Sequence, residues 1–284
     1  MKNKIANYSF GFLLVLAGCS SSETKTDKDS SSAAMSAPSE VHEGRGAEES
    51  IAAPAAPRAM TPAVAASALS QAVQSQNDDQ IYKVATGILS QNPNDLRALN
   101  TLGLYHFRKN HLEAAQMMFA RALKVDPNAG EVHSNMGLTY LAQKEKRDAI
   151  KSFRKSLELN PNDTVAAANI GAIYVQEQDY TKALVAMDIA MKKGSKEVPV
   201  LNNYGIALMA NGKYSQAKDA YKQALAIQSS DKNVLLNYSI LLIDYLKQYQ
   251  DGMDIINRLK FLGSSPEARN RINALENRVK AGLK

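Results

Sequence analysis

The sequence predicts an all-α fold, a solenoid of antiparallel helix pairs that ends in a capping helix. A glycine recurs every 34 residues, at Gly103, Gly137, Gly171 and Gly205. A fixed period in this range is typical of repeat proteins, whose units bury their apolar faces only by stacking on one another. The composition also favours helices over sheets, because alanine is plentiful, aromatic residues make up 6% of the chain and tryptophan is absent.

The N-terminal 18 residues have the layout of a secretory signal peptide. Lys2 and Lys4 precede a short apolar run over residues 10–17, and the single cysteine of the chain, Cys19, follows it. The sequence Leu-Ala-Gly-Cys that ends at Cys19 resembles the lipobox of bacterial lipoproteins. The resemblance implies cleavage after residue 18 and lipidation of Cys19. Because Ser20 rather than an aspartate comes next, it also implies a periplasm-facing protein of the outer membrane. The alternative is an uncleaved anchor with an incidental cysteine.

Residues 19–61 are predicted to form a disordered linker behind the lipidated cysteine. Residues 20–61 contain nine Ser, nine Ala and three Pro and no aromatic residue, so they have too little apolar surface to offset the entropy of ordering. A flexible chain of this length has a root-mean-square reach of about 35 Å.

Charge is distributed unevenly along the chain. The formal net charge is +6, with seven acids against four bases in residues 23–58 and seven bases against two acids in residues 258–284. Differences of this size indicate an acidic linker and a basic C-terminal region. They do not predict a nucleic-acid-binding protein.

From residue 62 onward, apolar residues follow helical spacing in six units of 34 residues. In the second unit Gly103 is position 8 and Leu102 lies beside it on a first helix, while Ala115 and Phe119 lie on a second helix that Pro127 terminates. Small residues at positions 8 and 20 let two helix backbones approach, and large residues fill the space on either side. The predicted units, numbered one to six below, are residues 62–95, 96–129, 130–163, 164–197, 198–231 and 232–265.

This pattern resembles the tetratricopeptide repeat, which has small residues at positions 8 and 20, an aromatic residue at 24 and proline at 32. The resemblance implies a right-handed solenoid over residues 62–284. Both terminal units depart from the pattern. Unit one has Leu69 at position 8, and unit six has Asp251 at position 20, so we expect the second helix of unit six to pack differently. Residues 266–281 are predicted to form an amphipathic capping helix.

The sequence contains no recognisable catalytic or cofactor-binding motif. His106 and His133 occupy positions where the repeat has bulky packing residues, and no cysteine remains to complete a metal site with them. The glycines are 34 residues apart rather than clustered after a strand, so they do not form a phosphate-binding loop. We therefore expect no enzymatic activity, no cofactor, no metal and no small-molecule substrate.

A further set of residues recurs every 34 residues, at position 6 of the units, and we call it the asparagine ladder. Position 6 carries an asparagine in four units and a threonine in unit two, and position 9 is mostly aliphatic. In tetratricopeptide arrays the first helices line a concave groove. The ladder resembles the one in the eukaryotic O-linked N-acetylglucosamine transferase, whose amides hold an extended peptide. The resemblance implies a partner-binding groove formed by Asn135, Asn169, Asn203, Asn237, Thr101, Leu104, Leu138, Ile206 and Ile240.

Two interpretations of these positions stay open. Exposed apolar residues on a protein surface usually mark an interaction site, which favours a groove with an apolar floor. Alternatively, position 9 is used for packing between neighbouring first helices, and the asparagines cap or bridge those helices.

The sequence thus predicts a lipid-anchored scaffold that captures an extended or helical segment of a partner protein. Lipoproteins with this layout resemble those that serve type IV and Flp-type pili, where they assist the secretin, and others that belong to gliding-motility machines. An adaptor that regulates a peptidoglycan synthase or hydrolase is the alternative.

Overall fold

The computed structural model describes residues 61–263 and 265–283, without the side chains of Pro62 and Glu267. The signal peptide, Cys19 and the linker up to residue 60 lie outside the described residues, so the inferences about them stay predictions. The described part of the chain forms thirteen α-helices and one π-helical turn, with no strand. The all-α prediction is confirmed.

Each unit contributes a first and a second helix, and one further helix follows unit six. The first helices are α1 (Pro62–Gln74), α3 (Leu96–Arg108), α5 (Gly130–Ala142), α7 (Thr164–Gln176), α9 (Val198–Ala210) and α11 (Lys232–Ile240). The second helices are α2 (Asp78–Gln91), α4 (Leu112–Val125), α6 (Lys146–Leu159), α8 (Tyr180–Lys192), α10 (Tyr214–Ile227) and α12 (Tyr249–Phe261). The capping helix is α13 (Pro266–Gly282).

The helices form two layers. Every first helix packs on the second helix of its own unit, and that second helix packs on the first helix of the next unit. From unit two onward, successive first helices also contact each other, as α3 does α5 and α7 does α9. The first helices therefore form an inner layer, over which the second helices lie.

Aspartates begin several of the first helices. Asp95, Asp163 and Asp231 each occupy the residue before the helix and accept a hydrogen bond from the backbone N–H three residues further on. Such N-caps satisfy donors that have no partner inside the helix, and each contributes about 1 kcal/mol. They place the start of α3, α7 and α11 at the first residue of their units.

Position 8 packs against position 24 within units two to five. A Cβ atom added to Gly137 would lie 2.6 Å from the ring of Phe153, which is fully buried. Unit one reverses the sizes, because Leu69 at position 8 and Ala85 at position 24 are buried in one cluster. The departure that the sequence shows at Leu69 is thus a large-for-small exchange that keeps the packed volume.

The turn between the paired helices uses a left-handed residue at the same position throughout. Position 15 has a positive φ in the first five units, at Gln76, Asn110, Lys144, Gln178 and Gly212. In unit six the left-handed residue is Lys247, one position later than the period predicts.

A π-helical turn over Leu241–Tyr245 explains this delay, since it inserts one residue into the first helix of unit six. The insertion corrects the expectation about Asp251. Gly252 takes the place of the small residue at position 20, and a Cβ atom added there would collide with the side chain of Ile243. Ile256, four residues later, is fully buried in the place of the aromatic residue. The second helix of unit six therefore packs like the others after a shift of one residue.

The apolar core is divided unevenly between the two halves of the array. One continuous cluster runs from Leu138 to Val279, whereas units one and two contribute two smaller clusters. Ile272, Leu275 and Val279 of α13 are buried in the large cluster, as the capping-helix prediction requires. Within residues 61–263 and 265–283, every helix is too short or too polar to span a membrane.

Candidate functional site

The predicted asparagine ladder lies in the inner layer, and most of it is buried. Asn169 is 1% exposed and Asn237 is 4% exposed, and Asn135 is also buried. Asn203 is half-buried. The four amides are therefore not equally available to a partner.

The buried amides bond to neighbouring helices or to their own. Asn135 donates from Nδ2 to Oδ1 of Asn100 in the preceding unit, at 2.9 Å, and Asn237 donates in the same way to Asn202, at 3.0 Å. Asn169 donates to the carbonyl oxygen of Val165 at 2.9 Å. These bonds favour the interpretation that the asparagines bridge helices. The side chain of Asn203 has no hydrogen bond to another group in the described part of the chain.

Asn100 and Asn202 were not identified as site residues from the sequence. Both occupy position 5 and lie 35 residues before the asparagine that bonds to them. This spacing, one more than the repeat period, is the signal that could have revealed the pairs.

The expectation of an open apolar floor at position 9 is corrected by the burial of that row. Leu138, Ile206 and Ile240 are buried, with Ile206 3% exposed, because successive first helices pack directly against each other. Leu104 in unit two and Ala172 in unit four are half-buried, as is Thr101 at position 6 of unit two. Whether these residues bind a partner stays a prediction.

What remains accessible on the inner layer is a smaller set. Thr101, Leu104 and Asn203 are half-buried, and Arg97 and Glu131 are exposed at position 2 of their units. Asn100 donates to Glu131 at 3.1 Å, so that carboxylate also belongs to the bridging network. We call Thr101, Leu104 and Asn203 the inner-face set.

His106 lies in an aromatic cluster where unit one meets unit two. Its ring is 5.3 Å from that of Tyr105 and 6.0 Å from that of His111, measured between centroids. Its buried Nδ1 has no hydrogen-bond partner in the described part of the chain. Burial, and after it the nearby His111, hold the pKa of His106 below its ordinary value. His133, in contrast, lies 2.9 Å through Nε2 from the carbonyl oxygen of Pro127. Both histidines are half-buried packing residues, as expected.

The second helices leave clefts between them on the outer layer. One cavity of about 270 Å³ lies between α8 and α10 and is lined by Tyr204 and Asp219 among others. Another, of about 430 Å³, lies beside Phe261, whose side chain is 92% exposed. Among the described residues, no three His, Cys, Asp or Glu side chains lie close enough together to hold a metal ion.

Three stretches of the chain match family models for the tetratricopeptide repeat. They are residues 96–129, 130–163 and 198–231, which are units two, three and five. No curated protein sequence matches the chain.

Solved structures with the same fold have low sequence identity to this chain. YrrB, a protein described as having an unusual peptide-binding site, has a TM-score of 0.59 at 15% identity, and the match covers 67% of this chain and 96% of YrrB. PilW, a type IV pilus biogenesis factor, has a TM-score of 0.54 at 17% identity, and the match covers 66% of this chain and 89% of PilW. PilF from Pseudomonas aeruginosa has a TM-score of 0.51 at 19% identity, and the match covers 66% of this chain and 90% of PilF.

At these identities the likeness shows the fold alone. The three matched stretches show that the chain contains tetratricopeptide repeats, and the helix pairs of the other units have the same layout.

Proposed function

We propose that this protein is a non-enzymatic, membrane-anchored scaffold that binds a segment of a partner protein on the inner face of its array. The observation that carries the proposal is Asn203, an amide of the ladder that is half-buried and has no partner in the described part of the chain. A free carboxamide offers both a donor and an acceptor, so it pairs with a peptide group whatever the side chain beside it.

The machine that the scaffold serves is proposed from layout and fold. The sequence has a lipobox-like start, and PilW, which has the same fold, is described as a type IV pilus biogenesis factor. We therefore propose a role in assembling an envelope machine such as a pilus with its secretin, or a motility complex. Crosslinking in intact envelopes, followed by mass spectrometry, tests it. Recovery of peptidoglycan enzymes without any secretin or motility component would favour the alternative adaptor role.

The inner-face set gives a matched pair of variants. Asn203→Ala with Leu104→Ser should weaken capture of the crosslinked partner about tenfold or more while leaving the melting temperature almost unchanged, because both residues are half-exposed. Asn237→Ala should instead lower stability by about 1–3 kcal/mol, since it leaves the buried carboxamide oxygen of Asn202 without its donor. Full partner binding by the Asn203/Leu104 variant would exclude the inner face.

The anchor is tested separately, because scaffold and anchor are independent. Cys19→Ser should move the protein from the membrane fraction to the soluble fraction, since the acyl chains would be lost. A variant that stays with the membrane would show that lipidation at Cys19 is not what holds the protein there.

A further inference from the structure

Unit one leaves open a packing surface that units two to six bury, and we propose that a second copy of this chain covers it. The surface lies on α1 and consists of Val64, Ala68 and Gln71, which follow one another at helical spacing. We call these residues the end face. Two copies pack α1 against α1 across a two-fold axis and form a closed dimer. The dimer does not depend on the inner face or on its partner.

Position 3 of each unit shows how exceptional the end face is. In units two to six this position is at most 2% exposed, whereas Val64, at position 3 of unit one, is 54% exposed. The buried residues are Ala98, Val132, Ala166, Val200 and Val234. Position 10 follows the same rule, since it is fully buried in units three to six and exposed at Gln71. The end face is thus a packing surface that lacks its usual neighbour in the described part of the chain.

The neighbour that covers position 3 in the other units is a helix. Ala98 belongs to one apolar cluster with Ile88 of α2, and Val132 belongs to another with Phe119 of α4. In both cases the second helix of the preceding unit provides the cover. Among the described residues, α1 has no helix before it. By analogy with these interfaces, the end face fits a helix that lies along α1.

Two copies can meet at the end face without electrostatic repulsion. The helix α1 contains no acidic or basic residue. The charged residues of unit one are Asp78, Asp79, Lys83 and Asp95, all of them within or after α2. Asp78 is paired with cations of unit two, and Asp95 caps α3. Because a two-fold contact brings identical surfaces together, a neutral helix avoids the like-charge contacts that oppose self-association.

The size of the residue at the centre of α1 also suits a helix-on-helix contact. Ala68 is the middle residue of α1, which runs from Pro62 to Gln74. A small residue at the crossing point lets two helices approach closely. An axis through Ala68 sets the two copies of α1 antiparallel, so that Val64 of each lies beside Gln71 of the other. One helix from each copy makes a small contact, and the expected association is therefore weak and reversible.

The opposite end of the array is closed by α13 and does not compete for the end face. This helix buries its apolar side and exposes Asn270, Asn273 and Asn277. Repeat arrays stay soluble through terminal units with such a polar outer side. Stacking the end face of one chain on α13 of another would bury these amides against aliphatic side chains. A closed dimer of two end faces is therefore favoured over a filament.

The residues that precede α1 in the same chain are less suited to cover it. Cover from within the chain would require a helix directly before α1, as α2 lies directly before α3. The sequence has prolines at Pro54, Pro57 and Pro62, and a proline inside a helix costs about 3 kcal/mol. A second copy needs no additional helix, because it brings its own α1.

Sedimentation equilibrium of the full-length chain in density-matched detergent measures the dissociation constant of the dimer. Ala68→Glu should raise it about tenfold or more, and so should Ala68→Lys, because each change places like charges beside the axis. An equimolar mixture of the two variants should restore the dimer, since the charges then attract each other. The matched control, Asn273→Glu on the exposed side of α13, should dimerise as the parent does.

Disulfide crosslinking in intact cells tests the same contact with a smaller substitution, in case the charged variants fail to fold. Ala68→Cys should give a crosslinked dimer under mild oxidation, because an axis through residue 68 brings the two thiols together. The parent and Asn273→Cys are the controls. Equal crosslinking in either control, an unchanged dissociation constant in Ala68→Glu, or failure of the mixed variants to pair would overturn the proposal. A parent that is monomeric at every concentration tested would also overturn it and leave the end face to a helix of another protein.

Discussion

Side-chain size at positions 8 and 24 decides how closely the two helices of a unit approach. Gly137 and Phe153 meet with no space for a Cβ atom, whereas unit one reaches the same packed volume with Leu69 and Ala85. Glycine inside a helix costs about 1 kcal/mol relative to alanine, so the packing at position 8 has to offset that cost. Residue identity at this position is therefore set by the neighbouring helix.

Replacing these glycines tests that balance directly. Gly137→Ala should destabilise the protein by about 1–3 kcal/mol, because the added methyl group meets the buried ring of Phe153. Gly87→Ala, also in a helix but with no heavy atom within 4 Å of the added Cβ, should stabilise it by about 0.5–1 kcal/mol. Urea unfolding of both variants measures the difference. Equal effects at the two sites would mean that helix propensity, not packing, governs position 8.

At the scale of elements, the turn between the two helices of a unit keeps the same backbone conformation although the residue at that position changes from unit to unit. The left-handed residue is a glycine only in unit five, Gly212, while Lys144 and Gln178 adopt the same conformation at a cost. For a residue with a Cβ atom the left-handed conformation costs about 1–2 kcal/mol. The turn geometry is thus imposed by the packed helices on either side.

Relief of this strain is measurable. Lys144→Gly should raise the free energy of unfolding by about 0.5–1 kcal/mol, since its φ of 66° is unfavourable for lysine and free of strain for glycine. The reverse change, Gly212→Ala, should lower it by about 1 kcal/mol. Thermal and urea unfolding give both values. Destabilisation by Lys144→Gly would show that the lysine side chain contributes more than its backbone conformation costs.

Over the whole molecule, apolar burial increases towards the C-terminal half. The large cluster joins units three to six with α13, whereas units one and two rely on small clusters, and α1 has no helix before it in the described part of the chain. In a solenoid, the free energy of unfolding is approximately the sum of contributions from each unit and from each interface between units. Local opening therefore begins where these contributions are smallest.

Hydrogen exchange should reveal this gradient. Backbone amides of α1 and α2 should exchange first and those of α7, α9 and α10 last, because the latter helices belong to the continuous core. Mass spectrometry of proteolytic fragments resolves the order. Simultaneous exchange of all units would show that the array unfolds as one cooperative body.

Lowering the pH should reduce the stability of units one and two further, through protonation of His106. Its folded-state pKa is depressed from 6.5, so the unfolded chain binds the proton more readily; the associated stability is present above pH 6.5 and is lost as the pH falls through the folded-state value. The protection factors of α2 and α3, which correct for the intrinsic pH dependence of exchange, should therefore fall as the pH drops below 6.5, and His106→Phe should remove that fall. Asp78 acts in a separate, lower range. Hydrogen bonding to Lys109 leads the causes that lower its pKa, so its contribution persists until the pH falls below 3.8.

The sequence predicted most of the fold because the small and large residues at positions 8, 20 and 24 recur with the period of the repeat. It could not place the π-helical turn, since Leu241, Leu242 and Ile243 are all apolar and leave the phase ambiguous; Asp251 at position 20 was the visible sign. The sequence revealed the asparagine ladder but could not decide between an exposed groove and buried amides that bridge helices. Burial depends on how closely neighbouring first helices approach, and that is a property of two units rather than one.

The single inserted residue at Leu241–Tyr245 also limits how the chain could be lengthened or recombined. Units two to five share one phase, so a 34-residue module spliced in at residue 231 would meet matching surfaces on both sides. A splice after residue 245 would join modules that are out of phase by one residue, and the incoming small and large side chains would face the wrong partners. The insertion therefore makes unit six the last unit that a further 34-residue repeat could precede but not follow. Asp244, within the inserted turn, pairs with Arg278 of the capping helix α13.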